Sequence, residues 1–136
     1  MAIAARSLAD AGEEVTLTQY RSLVVLASRG QQSLGALAEL LGVTPPTVSR
    51  MCDRLARKQL ILRRADASDR RQIRVALSAR GRRLVEEVTR RRRKEIAQLL
   101  ASMSAAEQAS VAASLQRLAD AAGEVREQDW SDGWDL

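Results

Sequence analysis

Residues 34–60 constrain the fold of this chain more than any other stretch, because two short helical patterns meet there at a tight turn. The first pattern places apolar side chains on one side of a helix, at Leu34, Leu37, Ala38 and Leu41. Gly42 follows directly, and glycine adopts the positive φ that ends a helix at no steric cost. A short helix that stops at Gly42 is therefore predicted.

A second helix is predicted to begin immediately after that turn. Thr44 can cap the free amide groups of its first turn, and Pro45 suits the first helical position, where an N–H is not needed. Its apolar side is formed by Val48, Met51 and Leu55. Its opposite side is polar and mostly basic, and carries Pro46, Thr47, Ser49, Arg50, Asp53, Arg54 and Arg57.

This arrangement matches a helix-turn-helix, in which the polar N-terminal face of the second helix enters the DNA major groove. The small side chain of Ala38 allows close crossing of the helices, and Val48 and Met51 fix the second helix against the core. An ordinary helical hairpin inside a core would also fit these residues. The sequence that follows Leu60 distinguishes the two interpretations.

Two strands joined by a charged loop are predicted after the second helix. Residues 59–64 indicate a turn and a short strand, and the polar residues 65–71 break the periodicity. Residues 72–77 form a half-buried strand with Arg74 on its polar side. The apolar side of that strand is formed by Ile73, Val75 and Leu77. Two strands and a basic loop directly after a helix-turn-helix form a wing, which a plain helical hairpin would not need.

The distribution of charge indicates a partner that is a polyanion. Residues 50–94 hold 17 Lys and Arg against five acids, net +12, whereas residues 1–49 carry −1 and residues 95–136 carry −6. A basic middle between neutral and acidic ends predicts one surface that faces nucleic acid. Aromatic residues make up only 2 % of the chain, and stacking on single-stranded bases needs them. Double-stranded DNA is therefore the expected partner.

Composition also excludes several classes of protein. The 136 residues suffice for one domain with an aliphatic core. The chain has no His and a single Cys, so it can form neither a disulfide framework nor a zinc site of His and Cys. No nucleophile–base pair, phosphate loop or metal constellation can be assembled, so neither an enzyme nor a cofactor is expected. The N-terminus lacks the pattern of a signal peptide, and no run of about 18 apolar residues occurs, so a cytoplasmic protein with no membrane partner is expected.

Further helices are predicted on both sides of the winged motif. Residues 3–11 can form a short helix that needs a partner surface, and Thr18 is the expected N-cap of a helix that Gly30 ends. Ser78 begins a long helix that ends near Met103. A capping-box pattern, Ser104 to Glu107, then starts the last helix, which Gly123 ends.

These elements give a division of the chain into three regions. Residues 31–77 are assigned to a winged helix-turn-helix lobe that binds DNA. Residues 1–30 and 78–123 are assigned to a helical dimerisation region. Residues 124–136, which are acidic and contain two Trp, are expected to form a loose tail, although the two Trp could instead pack on a neighbouring subunit.

The sequence resembles the MarR-type winged helix-turn-helix regulators over about residues 15–103. The resemblance is carried by the motifs TLTQYRSLVVL, LAELLGVTPPTVSRMCDRLARKQLILR and DASDRRQIRVALSARGRRL. It implies a mainly α fold with a small β wing that dimerises through its N- and C-terminal helices. It also implies a homodimer on a pseudo-palindromic operator, commonly a repressor that a small lipophilic or phenolic molecule releases. At Ala67 the chain departs from the family pattern, which commonly has a proline after the first acid of the loop.

Candidate DNA contacts lie at the start and on the outer face of the second helix: Thr44, Pro46, Thr47, Ser49, Arg50 and Arg54. The hydroxyl groups can reach phosphates or base edges, aided by the helix N-terminus, although capping alone would also explain them. Arg50 and Arg54 can grip guanine O6 and N7, and the alternative for each is a solvated charge. Arg57 is instead expected to pair with Asp53, four residues before it.

In the wing, Arg70 and Arg71 are predicted to enter the minor groove. The resemblance implies that Asp69 orients these arginines, and the alternative is a surface ion pair of little energetic consequence. The basic run at residues 90–94 spreads around its helix and is expected to be solvated, with partners such as Asp120 or Glu124 in the last helix.

Two further sets of residues have competing interpretations. The resemblance places an effector in an apolar cleft lined by Tyr20, Leu23, Val24 and Val85, but these residues serve equally well as core. Cys52 lies beside the buried face of the second helix and is interpreted as a small core residue rather than an oxidant sensor.

The sequence therefore predicts a homodimeric, sequence-specific DNA-binding regulator. A winged-helix scaffold for protein interactions is one alternative, and it predicts no salt-sensitive DNA affinity. A chromosome-organising protein is another, and it predicts similar affinity for operator and random duplex.

Overall fold

The computed structural model describes residues 15–66, 69, 72–125, 127 and 130. Within these residues the elements are α1 (Leu17–Arg29), β1 (Gln32–Ser33), α2 (Leu34–Leu41), α3 (Pro45–Arg57), β2 (Ile61–Ala65), β3 (Ile73–Leu77), α4 (Ala79–Leu100) and α5 (Ala105–Ala121). The expected mainly α fold with a small β wing is confirmed. The helix expected at residues 3–11 lies outside the described residues.

Helix α1 begins earlier than the sequence pattern indicated. Thr16, not Thr18, is its N-cap: the Thr16 hydroxyl accepts from the Gln19 amide at 3.2 Å, and the Gln19 side-chain oxygen accepts from the Thr16 amide at 3.0 Å. This reciprocal pair needs a glutamine or glutamate three residues after the cap. Thr18 has Arg21 in that position, which cannot accept a hydrogen bond.

The turn between α2 and α3 forms as predicted. Ser33 caps α2 by accepting from the Ala36 amide at 3.1 Å. Gly42 has φ 66° and donates its amide to the Glu39 carbonyl at 3.1 Å, while Val43 donates to the Ala38 carbonyl at 3.1 Å. These two bonds satisfy carbonyls at the end of α2 and turn the chain directly into α3.

The three strands form an antiparallel sheet in the order β1–β3–β2. Val75 and Leu77 face the core as predicted, but Ile73 is 37 % exposed. Ile73 lies opposite Ala65 at the loop end of the β2–β3 hairpin. Alternation along the strand therefore predicted the correct face but not the point at which the strand leaves the core.

The core lies between α1, α2, α3, the sheet and the first half of α4. It is aliphatic, as the composition required, and its fully buried large side chains are Leu23, Leu26, Leu37, Leu55, Leu60, Val48, Val75, Val85 and Val88. The expected break after α4 is confirmed, since Ser104 and Glu107 form a capping box at the start of α5. Helix α5 itself buries no residue against the described part of the chain.

The chain after α5 turns back onto the core through the return segment, residues 122–125, 127 and 130. Arg29 donates to the Gly123 carbonyl at 3.3 Å. Trp130 packs against the core, and its indole N–H donates to the Val125 carbonyl at 3.2 Å. At Trp130 the chain therefore differs from the loose tail that was expected, because the indole finds both an apolar surface and an acceptor within its own chain.

Candidate nucleic-acid interface

Helix α3 is fixed against the core by a buried underside. Val48, Met51 and Leu55 are buried as predicted, and Cys52 lies between them with no exposed surface. From α1, the buried Ser22 hydroxyl donates to the Gln19 carbonyl at 2.8 Å and also contacts Met51 Sδ at 3.3 Å. Because these contacts fix the rotation of α3 about its axis, its opposite face points consistently to solvent.

The start of α3 differs from the expected capping arrangement. Thr44 is the N-cap residue, but its side chain accepts no capping hydrogen bond. Pro45 and Pro46 have no N–H, and the Thr47 and Val48 amides already donate to the Thr44 carbonyl at 3.0 and 3.1 Å. The first turn is therefore satisfied without the threonine side chain. The Thr44 and Thr47 hydroxyls instead lie 2.9 Å apart in one exposed pair.

The structure brings the residues predicted on α3 together on one face. Thr44, Pro46, Thr47, Arg50 and Arg54 are exposed, and Ser49 is half-buried. Within the described part of the chain, the guanidinium groups of Arg50 and Arg54 form no ion pair. Two cationic groups with open donors, one turn apart, can bind phosphate oxygens or the edges of guanine bases.

A shallow cleft of about 290 Å³ opens between the start of α1 and the outer face of α3. It is lined by Thr16, Thr18, Gln19, Thr47, Arg50, Met51 and Arg54. The first turn of α1 thus flanks the arginines, which the sequence pattern of α3 alone could not show.

Asp53 has a different partner from the one expected. Its carboxylate forms an ion pair with Arg63 of β2. Arg57 donates instead to the Asp53 backbone carbonyl, at 3.4 Å. The pairing of Asp53 and Arg57 predicted from helical spacing is therefore wrong at the carboxylate, because a residue from the neighbouring strand reaches it.

The loop end of the wing is organised by Asp66, which was not among the residues predicted from the sequence. Asp66 is buried, and its carboxylate forms an ion pair with Arg74 and accepts the Asp69 amide at 3.3 Å. Arg64 and Arg74 lie directly opposite each other across the hairpin. Two like charges in that position repel, so the carboxylate of Asp66 offsets a repulsion. The sequence does contain a signal for this role, because Asp66 is an acid just after a predicted strand that contains Arg63 and Arg64.

The residues predicted at the tip of the wing are only partly described. Asp69 accepts from the Gln72 side chain at 3.4 Å, and its backbone carbonyl accepts from the Gln72 amide at 2.9 Å. Arg70 and Arg71 lie outside the described residues. The role of Asp69 in orienting them stays a prediction.

The basic run at residues 90–94 is held partly by acids other than those expected. Arg91 pairs with Glu87 on its own helix at 2.5 Å, and Arg90 lies 4.0 Å from the same carboxylate. Arg93 pairs with Glu127 of the return segment at 2.8 Å. Glu127 rather than Asp120 or Glu124 is the partner of Arg93, because the chain folds back after α5.

Cys52 lies in an apolar environment under α3. Burial raises the pKa of the Cys52 thiol to about 11. The charge of Arg63 lowers this pKa and that of Asp53 raises it, and both effects are smaller than that of burial. The thiol is therefore protonated at neutral pH, as the interpretation as a core residue requires.

The residues proposed to line an effector site form part of the core beneath α1. Tyr20 and Leu23 are buried together with Val85, and Val24 is half-buried. The Tyr20 hydroxyl and the hydroxyl of Thr89, a residue the sequence analysis missed, are buried and have no hydrogen-bond partner within the described structure. Burial raises the pKa of the Tyr20 phenol, and the nearby Thr89 hydroxyl and Arg92 oppose that effect without cancelling it.

Metal-binding clusters and membrane-spanning helices are both absent from the described residues. No group of three or more His, Cys, Asp or Glu side chains is arranged to hold a metal ion in the part of the chain that the structure describes. Among the same residues, no helix has the length and apolar character needed to cross a membrane.

A recognition helix with a buried underside, followed by a two-stranded wing on the same core, defines a winged helix-turn-helix protein. Residues 15–73 match the model of the MarR family. The chain is 33 % identical over 119 residues to the HTH-type transcriptional repressor MdtR of Bacillus subtilis, covering 88 % of this chain and 77 % of that protein. It is 34 % identical over 93 residues to an HTH-type transcriptional regulator of Mycobacterium bovis, covering 68 % of this chain but only 65 % of that protein.

Solved structures give the same result. The crystal structure of RV1404 from Mycobacterium tuberculosis superposes with a TM-score of 0.86 at 41 % identity, covering 92 % of this chain and 85 % of that one. A Staphylococcus aureus MepR mutant bound to an oligodeoxyribonucleotide superposes with a TM-score of 0.67 at 28 % identity, covering 87 % and 86 %. The chain belongs to the MarR family of transcriptional regulators, which are not enzymes.

Proposed function

We propose that this protein is a homodimeric, sequence-specific repressor that binds a pseudo-palindromic operator and is released by a small molecule. The observation that carries the proposal is the outer face of α3, where Arg50 and Arg54 project without ion-pair partners in the described chain above a buried underside. MdtR is named a repressor, and the MepR mutant was solved with an oligodeoxyribonucleotide. Such a protein acts in the cytoplasm, where the DNA of its bacterial relatives lies.

The charge around the proposed interface supports the choice of partner. Residues 50–94, which run from within α3 through the wing and into α4, carry a net charge of +12, of which residues 90–94, which are expected to be solvated, supply +5. Each phosphate that such a surface neutralises releases counterions, so affinity falls steeply with salt, with a log–log slope of about −0.9 per phosphate contact. A protein-interaction scaffold would show no such slope, and a non-specific DNA-organising protein would show it without a preference for one sequence.

The exposed apolar side chains of α4 and α5 support a homodimer. Leu99 is 61 % exposed, and Leu115 and Leu118 are 59 % and 67 % exposed. Exposed leucines on two helices, one of which buries nothing in the described part of the chain, are typical of a surface that a second copy covers. We therefore assign the second half of α4 and α5, within residues 78–123, to dimerisation, whereas α1 and the first half of α4 pack into the core of the DNA-binding lobe, residues 31–77.

The buried hydroxyls of Tyr20 and Thr89 support an effector site beneath α1. Neither hydroxyl has a partner in full hydrogen-bond geometry, although the Thr89 side chain is near enough to the phenol to lower its pKa, so a ligand hydroxyl or carboxylate that bonds to them would improve their hydrogen bonding. The apolar side chains of Leu23, Val24 and Val85 lie in the same region and match a lipophilic or phenolic body. No metal or cofactor is required.

The test of the proposal is a binding-site selection from random duplex DNA with the purified protein. We expect a palindromic consensus whose half-sites lie about one helical turn apart, bound about 10³-fold or more tightly than random duplex. The affinity is then measured at several salt concentrations on both DNAs. Equal affinity for the selected and random duplexes would contradict a sequence-specific regulator, and the absence of salt-dependent binding would favour the scaffold.

A further inference from the structure

Helix α3 contains a single acid among its basic residues. Asp53 is the only acidic residue of Pro45–Arg57, and its side chain is 52 % exposed beside Arg54. DNA phosphates repel a carboxylate that is held near them, so an unpaired acid at this point would weaken binding. What surrounds Asp53 therefore decides whether it opposes the proposed function or assists it.

Arg63 reaches Asp53 from the first strand of the wing. Its guanidinium donates from Nη1 to Asp53 Oδ1, and its side chain is only 25 % exposed. Arg63 shares a face of β2 with the buried Ile61, since residues two apart on a strand point the same way. The aliphatic part of the arginine is therefore covered while its charged end meets the carboxylate.

This ion pair lies on the part of β2 that leads into the loop of the wing. Strand β2 ends two residues after Arg63, and the loop begins at Asp66, about 10 Å along the strand at about 3.3 Å per residue. There a second ion pair, between Asp66 and Arg74, ties the two strands of the hairpin together. The pair Asp53–Arg63 thus connects α3 to the first strand of the wing, and the pair Asp66–Arg74 connects the two strands of the wing to each other.

We infer that Asp53 and Arg63 are positioning residues that fix the wing relative to α3, so that both meet one DNA duplex in a single docked orientation. The inference rests on the proposed function. A partly exposed ion pair contributes little to the free energy of folding. It contributes to binding by orienting the wing before contact, because ordering a free wing on the DNA would reduce affinity.

The experiment uses Asp53→Asn, Arg63→Gln and the double variant of the full chain, with Glu39→Gln as the control that removes one negative charge from an exposed site on α2. We expect Asp53→Asn and Arg63→Gln each to lower affinity for the selected operator by about 5- to 20-fold, and the double variant to lose no more than either single one. Affinity for random duplex should change less than about twofold in Asp53→Asn. Arg63→Lys, which keeps the charge, should recover part of the loss, and the unfolding transition should hardly move in any variant.

The sign of the Asp53→Asn effect separates the alternatives. If this variant binds operator and random duplex more tightly, Asp53 is only a repulsive charge and the inference is overturned. If Arg63→Gln weakens both DNAs equally and reduces the salt slope by about one, while Asp53→Asn loses nothing, Arg63 is a phosphate contact and the inference is again overturned.

Hydrogen exchange without DNA makes the inference independent of operator binding. The backbone amides of Ile73–Leu77 should exchange about 3- to 10-fold faster in Asp53→Asn and Arg63→Gln than in the wild type, and at the wild-type rate in Glu39→Gln. Unchanged exchange in all variants would overturn the inference. If amide exchange is faster in the two variants but the wild type binds its selected operator no more tightly than random duplex, the proposed function fails, while the role of the ion pair in positioning the wing stands.

Discussion

Arg50 and Arg54 differ from the arginines around them in what their guanidinium groups contact. Arg63 and Arg74 are engaged by Asp53 and Asp66, and Arg91 is engaged by Glu87. Arg50 and Arg54 keep their donors open within the described residues, which is the condition for a new partner to be bound without first breaking an existing pair. Whether an arginine is available to bind DNA therefore depends less on its charge than on the acceptors already within reach of its guanidinium group.

Arg50→Ala should weaken operator binding by about 5- to 150-fold, because an arginine that holds guanine by two hydrogen bonds contributes about 1–3 kcal/mol of discrimination. Fluorescence anisotropy with a labelled operator measures the change. The matched control is Arg90→Ala, which removes the same charge from a position 78 % exposed on α4 and should change affinity less than about twofold. A loss of the same size in both variants would indicate general electrostatics rather than base contact.

Cys52 should react slowly with thiol reagents in the folded protein. Its pKa is raised from about 9 to about 11 by burial, so at pH 8 the thiolate fraction is about 100-fold lower than in the unfolded chain. Because the folded chain holds the thiol proton more tightly, the stabilisation linked to it is complete below pH 9 and is lost as the pH rises through about 11. A chromogenic disulfide at pH 8, with and without urea, measures the ratio of rates, and equal rates would contradict this burial.

Among the elements, α4 approaches the turn between α3 and β2 very closely. The Ser78 amide donates to the Leu60 carbonyl at 3.1 Å, and the Ser78 hydroxyl donates to the Gln59 carbonyl at 2.5 Å. A Cβ at Gly81 would lie 2.0 Å from the Leu60 oxygen. The first turn of α4 therefore rests directly on the turn between α3 and β2, and only glycine leaves room for it.

Gly81→Ala should reduce the free energy of unfolding by about 2–4 kcal/mol, since the clash is with backbone that cannot rotate away. Urea denaturation at a fixed protein concentration measures the loss. Gly35→Ala is the control: its Cβ would have no heavy atom nearer than 4.0 Å, and it lies within α2, where alanine is favoured over glycine by about 1 kcal/mol. A neutral Gly81→Ala would show that α4 does not approach this turn so closely.

For the whole molecule, the decisive feature is the contrast between a well-packed lobe and two helices that leave the core. The first half of α4 buries Leu84, Val85 and Val88, while Leu99 in its second half and Leu115 in α5 are exposed. The residues that the structure describes thus complete the core of the lobe but leave these leucines uncovered. In the proposed homodimer, a second copy of the chain covers them.

Leu115→Glu combined with Leu118→Glu should convert a dimer into a monomer at micromolar concentration, because two charges would be placed in an apolar interface. Sedimentation equilibrium measures the change. Leu62→Glu makes the same chemical change at an exposed site on β2 and should leave the dimer intact. A wild type that sediments as a monomer would contradict the homodimer itself.

Features that depend on near neighbours along the chain were predictable from the residues alone. The turn at Gly42, the start of α3 at Pro45, both strands of the wing and the capping box at Ser104 follow from backbone conformations and periods of 3.6 or 2 residues, which are local properties. The face of α3 that carries Arg50 and Arg54 was predictable for the same reason.

Contacts between groups that are distant along the chain depend on how the elements pack, and local sequence patterns do not predict them. Asp53 pairs with Arg63 rather than Arg57 because the hairpin brings β2 against α3, and Asp66 pairs with Arg74 at the loop end of the wing because β2 and β3 lie side by side. The exposure of Ile73, the contact of Trp130 with the core and the unpaired hydroxyl of Tyr20 have the same origin. Periodicity fixes the direction in which a side chain leaves its element, but the packing of elements fixes what that side chain encounters.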